Sequence, residues 1–265
     1  MAVVSFPSIR DAASAAAAVM QAGIPVAAME IMDEVQMKVV NMSGMTAPRT
    51  WKELPTLFFK FAGSKASVRE NIGQVQTITK SNKGSNFEFA KDEKEQKLLW
   101  SARKESLWSM LALRKDGEEV CKFILRLSSR ELGTNGHLSH ESGSTDVAVP
   151  FSRLADIIEV SKKEMDELGL FASILGHIGD GNFHESIIYN RTNGEREKVE
   201  SCVKNMVQRA LDMEGTCTGE HSVGWGKKDS LLLEVGADTL GVMRAIKRAL
   251  DPLWIMNPGK IMDVP

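Results

Sequence analysis

The chain has 265 residues, a formal net charge of −2 and 43% hydrophobic residues, enough apolar material for one large core or two small ones and no basic excess to hold nucleic acid. Its longest apolar stretch, residues 12–20, is alanine-rich and too short to cross a bilayer, and no secretory or mitochondrial presequence is expected ahead of it. Three cysteines, Cys121, Cys202 and Cys217, are odd in number and lack Cys-x-x-Cys spacing, which fits a reducing compartment.

Residues 2–6 read as a strand leading into a helix over 9–22, which Gly23 and Pro25 close. A strand over 26–31, a helix over 33–40 and the alternating strand 56–61 follow. Residues 65–81 are expected to be helical, 86–90 a short strand, and 91–113 a long helix. The order then repeats with strand 145–149, helix 152–168 capped by Gly169, strands 172–179 and 182–189, and helix 194–213. Strand-helix-strand units with hairpins predict an α+β fold over 1–223, a duplicated ferredoxin-like antiparallel sheet covered by helices. Residues 224–265 are expected to form a helical C-terminal tail, with Leu231, Leu232, Leu240, Met243, Ile246 and Leu250 as its buried stripe. Trp100, Trp108 and the series Met29, Met32, Met37, Met42 and Met45 read as core.

The densest polar motif is Gly176-His177-Ile178-Gly179-Asp180-Gly181-Asn182-Phe183-His184. With Asp180-Gly181 as the two-residue loop of a type I′ turn, His177 pairs with His184 and Ile178 with Phe183. The two imidazoles then face each other, with Cβ atoms roughly 5 Å apart, and can share one metal ion. Ile178 and Phe183 point into a core. The second cluster is Gly215-Thr216-Cys217-Thr218-Gly219-Glu220-His221. Glu220 offers a hard carboxylate oxygen and His221 can carry a proton, so two histidines and one carboxylate leave a coordination position for substrate. The plainer reading has these histidines satisfying hydrogen bonds at a turn and a loop; the presence of both clusters favours metal.

Those residues, together with Asn257-Pro258-Gly259-Lys260-Ile261, Val26-Ala27-Ala28-Met29-Glu30-Ile31-Met32-Asp33 and Leu99-Trp100-Ser101-Ala102-Arg103, resemble the C-terminal domain of the FAD-linked D-2-hydroxyacid dehydrogenases of the vanillyl-alcohol oxidase type. The resemblance covers almost the whole chain and is strongest to the fungal, D-lactate-oxidising, cytochrome-linked branch. It implies a divalent metal, zinc or manganese, on His177, His184 and Glu220. It implies His221 as the base, Arg103 as the grip on the substrate carboxylate, and Asn257 and Lys260 near the flavin. Ser144 stands where relatives with longer dicarboxylate substrates carry lysine, which favours D-lactate or a similar small D-2-hydroxy acid. The resemblance further implies hydride transfer to FAD, cytochrome c as electron acceptor and a mitochondrial address for the whole enzyme. FAD is held mainly by an N-terminal domain that is expected to be missing here, because residues 1–6 already read as substrate-domain strand and no Gly-x-Gly-x-x-Gly follows a strand.

Residue types alone make that chemistry intelligible. Hydride removal from a hydroxy acid needs the hydroxyl proton to leave, and a metal lowers its pKa, as it lowers that of bound water from about 15.7 to near 7. A neutral imidazole can then accept the proton, while an arginine fork fixes the carboxylate. The first reading is the substrate and metal domain of a flavin-dependent dehydrogenase acting on D-lactate; the alternative is a flavin-free, non-catalytic metal-binding fragment, or a relative that acts on D-2-hydroxyglutarate or glycolate. A hydrolase in which His221 activates water is a distant third.

One segment departs from the family. Between Val120 and Ser144 the family has about one residue, usually tryptophan, where this chain has Cys121 through Gly143. Cys121-Lys122-Phe123 permits the codons T-GTAAGT-TT, a splice donor. Thr134-Asn135-Gly136 permits the branch point ACTAACGG, and Ser142-Gly143 the acceptor TCAG-GG. Joining the flanking T and GG restores TGG, tryptophan. Residues 121–143 are therefore expected to be a translated short intron, an expectation that genomic codons lacking these signals would end. His137 and His140 within it are left out of the site.

Overall fold

Ser8, Asp33, Ser64 and Asp92 each stand in extended backbone ahead of a helix, and each side chain accepts a hydrogen bond from the N–H three residues on. Four helices thus begin where an orphan donor finds a partner. The computed structural model describes residues 1–115, 118–121, 145–190 and 193–263. Residues 122–144, with His137, His140 and Ser144, lie outside the described residues.

The first half runs β1 (Ala2–Ser5), α1 (Ile9–Gln21), β2 (Ala28–Met32), α2 (Glu34–Ser43), β3 (Thr56–Lys60), α3 (Lys65–Ser81), β4 (Ser85–Phe89) and α4 (Glu93–Ala112). The second runs β5 (Glu118–Cys121), β6 (Val147–Ala148), α5 (Leu154–Glu167), β7 (Phe171–Gly176), β8 (Asn182–Asn190) and α6 (Glu195–Asp212), and α7 (Lys228–Leu250) follows. All pairings are antiparallel, in the order β4-β1-β3-β2-β7-β8-β5, with β6 also on β8. Strands β4-β1-β3-β2, with α1 and α3 as crossovers, make one ferredoxin-like unit. The second unit repeats the order as Thr216-β6-β8-β7, its fourth strand reduced to a bridge between Thr216 and Ala148. The two join where Ile31 pairs Gly176 and Met32 pairs Leu175.

Side chains alternate across the sheet. Val4, Ile31, Leu57, Ile174 and Phe183 pack under α1, α3, α5 and α6, and Val3, Met32, Phe58 and Leu175 pack under α2 and α4. Trp100 joins the second core, with the Lys60 ammonium 3.7 Å above its ring.

Several expectations are corrected. Trp108, Met42 and Met45 are exposed, because each lies on the outer side of its helix or just past its end. The tail is helical only over Lys228–Leu250, and Gly236, at φ 77 and ψ 166, breaks even that. The break turns the apolar stripe off a single face. Leu231 and Leu240 are buried with Val223 and Met262, whereas Leu232, Ile246 and Leu250 are exposed. β5 was not foreseen, since four residues that include two glutamates show no usable alternation.

Candidate metal and substrate site

The hairpin between β7 and β8 is longer than a type I′ turn. Leu175, not His177, stands opposite His184. A I′ turn needs positive φ at both central residues, and here only Gly181 has it, at 72°, while Asp180 belongs to a 3-10 turn over Ile178–Asp180. The N–H groups of Asp180 and Asn182 both donate to the His177 carbonyl, and the Gly181 carbonyl accepts from Val149 N–H at 3.1 Å. Those bonds hold the loop open. Ile178 and Phe183 are buried in the core, as expected.

Both histidines nevertheless reach one point. His184 Nε2 lies 2.8 Å from Glu220 Oε1, and His177 Nε2 lies 3.2 Å from Glu220 Oε2. All three ligand atoms fall within 4.8 Å of one another. Each histidine turns its other nitrogen to a fixed acceptor: His177 Nδ1 to Glu30 Oε1 at 2.7 Å, and His184 Nδ1 to the Thr145 carbonyl at 3.0 Å. With Nδ1–H donating, both Nε2 lone pairs face the Glu220 carboxylate. Two imidazoles and a carboxylate, with Glu220 open to solvent, fit zinc or manganese with a position left for substrate.

A second possible ligand set, Asp146, His184 and His221, is less suited, because the Asp146 carboxylate is already engaged. It accepts from the N–H groups of Glu220 and His221, from Asn182 Nδ2 and from Thr218 Oγ1, all within 3.2 Å. Burial pushes the Asp146 carboxyl up, but the His221 N–H, the Lys227 ammonium and the other donors outweigh it and hold its pKa at about 2. Lys227 Nζ donates to the carbonyls of Asp146 and Cys217. Asp146 therefore fastens the loop that presents Glu220 and His221. Gly219 lies so close to Asn182 that a Cβ would come within 1.9 Å of its amide nitrogen, so the loop has no room for a side chain there.

His221 sits beside the ligands, its ring centroid 5.1 Å from that of His184 and its Nε2 3.5 Å from Glu220 Oε1. Arg103, on α4, closes the opposite side, with Nε 2.8 Å from Glu30 Oε2 and Nη2 3.4 Å from His177 Nε2. Burial pushes the Glu30 carboxyl up, yet the His177 hydrogen bond and the Arg103 charge more than offset it and leave its pKa below the ordinary value. The same hydrogen bond to Glu30 raises the His177 pKa.

His177, His184, Glu220, His221 and Arg103 are thus brought together. Asn257 and Lys260 lie apart, on an exposed turn where Lys260 Nζ donates to Asn257 Oδ1. That turn is fastened just beyond His221: Ile261 N–H donates to the Gly224 carbonyl, and Trp225 Nε1 donates to the Pro258 carbonyl. Sequence reasoning missed Glu30, Thr145 and Asp146. A signal existed, since Glu30 and Asp146 are single acids inside apolar strand patterns, where an acid needs a specific partner.

The family described as FAD linked oxidases, C-terminal domain, matches residues 1–261. The chain is 46% identical over 265 residues to a mitochondrial D-lactate dehydrogenase [cytochrome] of Kluyveromyces lactis, covering all of this chain and 42% of that protein. It is 43% identical over 262 residues to the Saccharomyces cerevisiae D-lactate dehydrogenase [cytochrome] 1, covering 98% of this chain and 41% of that one. The chain therefore spans less than half the length of these relatives. Among solved structures, 4-ethylphenol oxidase from Gulosibacter chungangensis superimposes with a TM-score of 0.63 at 15% identity, over 100% of this chain and 53% of that one. Substrate-bound p-cresol methylhydroxylase gives 0.61 at 15% identity, over 99% and 52%. At that identity the likeness concerns the fold, and it is the family match over nearly every residue that decides membership: the chain belongs to the FAD-linked oxidases, as their C-terminal domain.

Proposed function

We propose that this chain is the substrate and metal domain of a mitochondrial D-lactate dehydrogenase that oxidises D-lactate to pyruvate and passes electrons through FAD to cytochrome c. The observation that carries the reading is the convergence of His177 Nε2, His184 Nε2 and the Glu220 carboxylate, with Arg103 and His221 on either side. The names of the fungal relatives carry D-lactate, a cytochrome and a mitochondrial address, and cytochrome c is the acceptor this reading adds.

Arg103 has Nε committed to Glu30, while Nη1 and Nη2 make only long contacts, 3.5 Å to Ser106 Oγ and 3.4 Å to His177 Nε2, so their N–H groups are the fork for the lactate carboxylate. A divalent metal on His177, His184 and Glu220 would make the C2 hydroxyl acidic, and bound FAD would accept the hydride. His221 takes the hydroxyl proton at a ring nitrogen, so C2 loses one hydride and its oxygen one proton, leaving the keto acid. Asn257 and Lys260, on the exposed turn fastened to the residues after His221, are assigned by this reading to a cofactor carried by another domain.

Adding D-lactate to the full-length protein without oxygen is expected to bleach its flavin absorbance, and cytochrome c should then recover it. A bound flavin that dithionite reduces and D-lactate does not would sink the proposal. Protein that carries metal and no flavin would instead make the chain a metal-binding module.

A further inference from the structure

Strand β8 has two edges, and β7 takes one of them from Ile188 to His184. β5 lies on the other, because Ile187 pairs Ala172 on one side and Cys121 on the opposite side. β6 shares that outer edge at Val147↔Phe183, since the inner side of Phe183 is filled by Gly176, whose added Cβ would lie 2.4 Å from Phe183 Cα. Both strands run antiparallel to β8 and hence in one direction, end to end.

From Ile187 to Phe183, β8 advances four residues, whereas the chain from Cys121 to Val147 advances twenty-six. The excess is twenty-two. Without it, β5 would run into β6 in a single register, with no residue left over for a bulge. Thr145, two residues before Val147, donates from its Oγ1 to the carbonyl of Glu185, two residues after Phe183, the residue that register would set opposite it. We propose that Glu118–Cys121 and Val147–Ala148 are the two halves of one strand, split by a 22-residue insertion that neither the sheet nor the metal site requires. Exchanging residues 121–143 for a single tryptophan removes the same net number of residues. The family resemblance and the strand pairing thus arrive at the same net length. The interrupted strand matters to the site because its second half is led in by Thr145 and Asp146, which hold His184 and the Glu220–His221 loop.

Three deletions in the full-length protein test this: residues 122–143, and, as controls, 122–142 and 122–144. The 22-residue deletion is expected to melt no lower than the parent and to bind Zn(II) or Mn(II) no more weakly. The controls should melt a few degrees lower and bind metal more weakly, because a one-residue slip sends Thr145 and Asp146 to the wrong faces. A 22-residue deletion that melts below the parent, or no higher than either control, overturns the proposal.

A different observation concerns Glu30. Ile31 pairs Gly176, so the next position along each strand sets Glu30 beside His177. One carboxylate oxygen accepts from His177 Nδ1 at 2.7 Å, the other from Arg103 Nε at 2.8 Å, and the residue is 5% exposed. The geometry points to Glu30 as the positioning residue that locks a metal ligand and the carboxylate-binding guanidinium to one another, an inference that rests on the proposed metal site. Glu30→Ala should weaken Mn(II) binding about 10- to 100-fold by calorimetry and raise KM for D-lactate. Glu30→Gln keeps an acceptor for His177 Nδ1–H, so it should recover most of the metal affinity while KM stays raised. Parent-like affinity and KM in Glu30→Ala, or a parent-like KM in Glu30→Gln should the alanine variant not fold, overturns the assignment. A parent that binds no Mn(II) instead overturns the metal reading.

Discussion

His184→Ala in the full-length protein is expected to lose bound metal and D-lactate oxidation together. His184 is 2% exposed, and its two ring nitrogens have distinct duties, Nδ1 toward the Thr145 carbonyl and Nε2 toward Glu220. Alanine removes a proposed ligand and leaves the Thr145 carbonyl without that partner. Loss of an outer partner of a ligand costs about 10- to 100-fold in metal affinity, and loss of a ligand itself should exceed that. Metal content by elemental analysis, beside turnover, checks the outcome. A variant that keeps stoichiometric metal would remove His184 from the ligand set.

His221→Ala should separate what His184→Ala loses jointly. Its ring lies next to the ligands without completing the group formed by His177, His184 and Glu220, so the variant should keep its metal. The rate of flavin reduction by D-lactate should drop by about 10² to 10⁴, the usual contribution of a positioned general base. The backbone N–H of residue 221 still reaches Asp146 in the variant, so the loop keeps its anchor. Flavin reduction at the parental rate would show that the proton leaves by another group.

The fold was legible wherever one physical signal dominated. Alternation in 56–61 marked a strand, Gly23 and Pro25 marked the end of the first helix, and the repeated strand-helix-strand order carried the duplication. Where two signals competed, the reading slipped. Asp180-Gly181 is a strong hairpin pair, but hydrogen bonds from Val149 and to His177 impose a longer loop that no local propensity encodes. The tail failed similarly, because one glycine conformation decides which way its apolar residues turn. At the site, motif residues were found and their supports were not. Glu30 and His177 are 147 positions apart, and only the sheet order brings them side by side.

That sheet order gives the seam between β2 and β7 a further meaning. Glu30 and Arg103 come from the first repeat, while His177, His184 and Glu220 come from the second. The two repeats meet in the sheet at Ile31↔Gly176 and Met32↔Leu175, and beneath the same seam α1 packs on α5 in one shared core. Because one Glu30 carboxylate binds both His177 and Arg103 across it, the seam fixes the spacing between the guanidinium and the histidine pair.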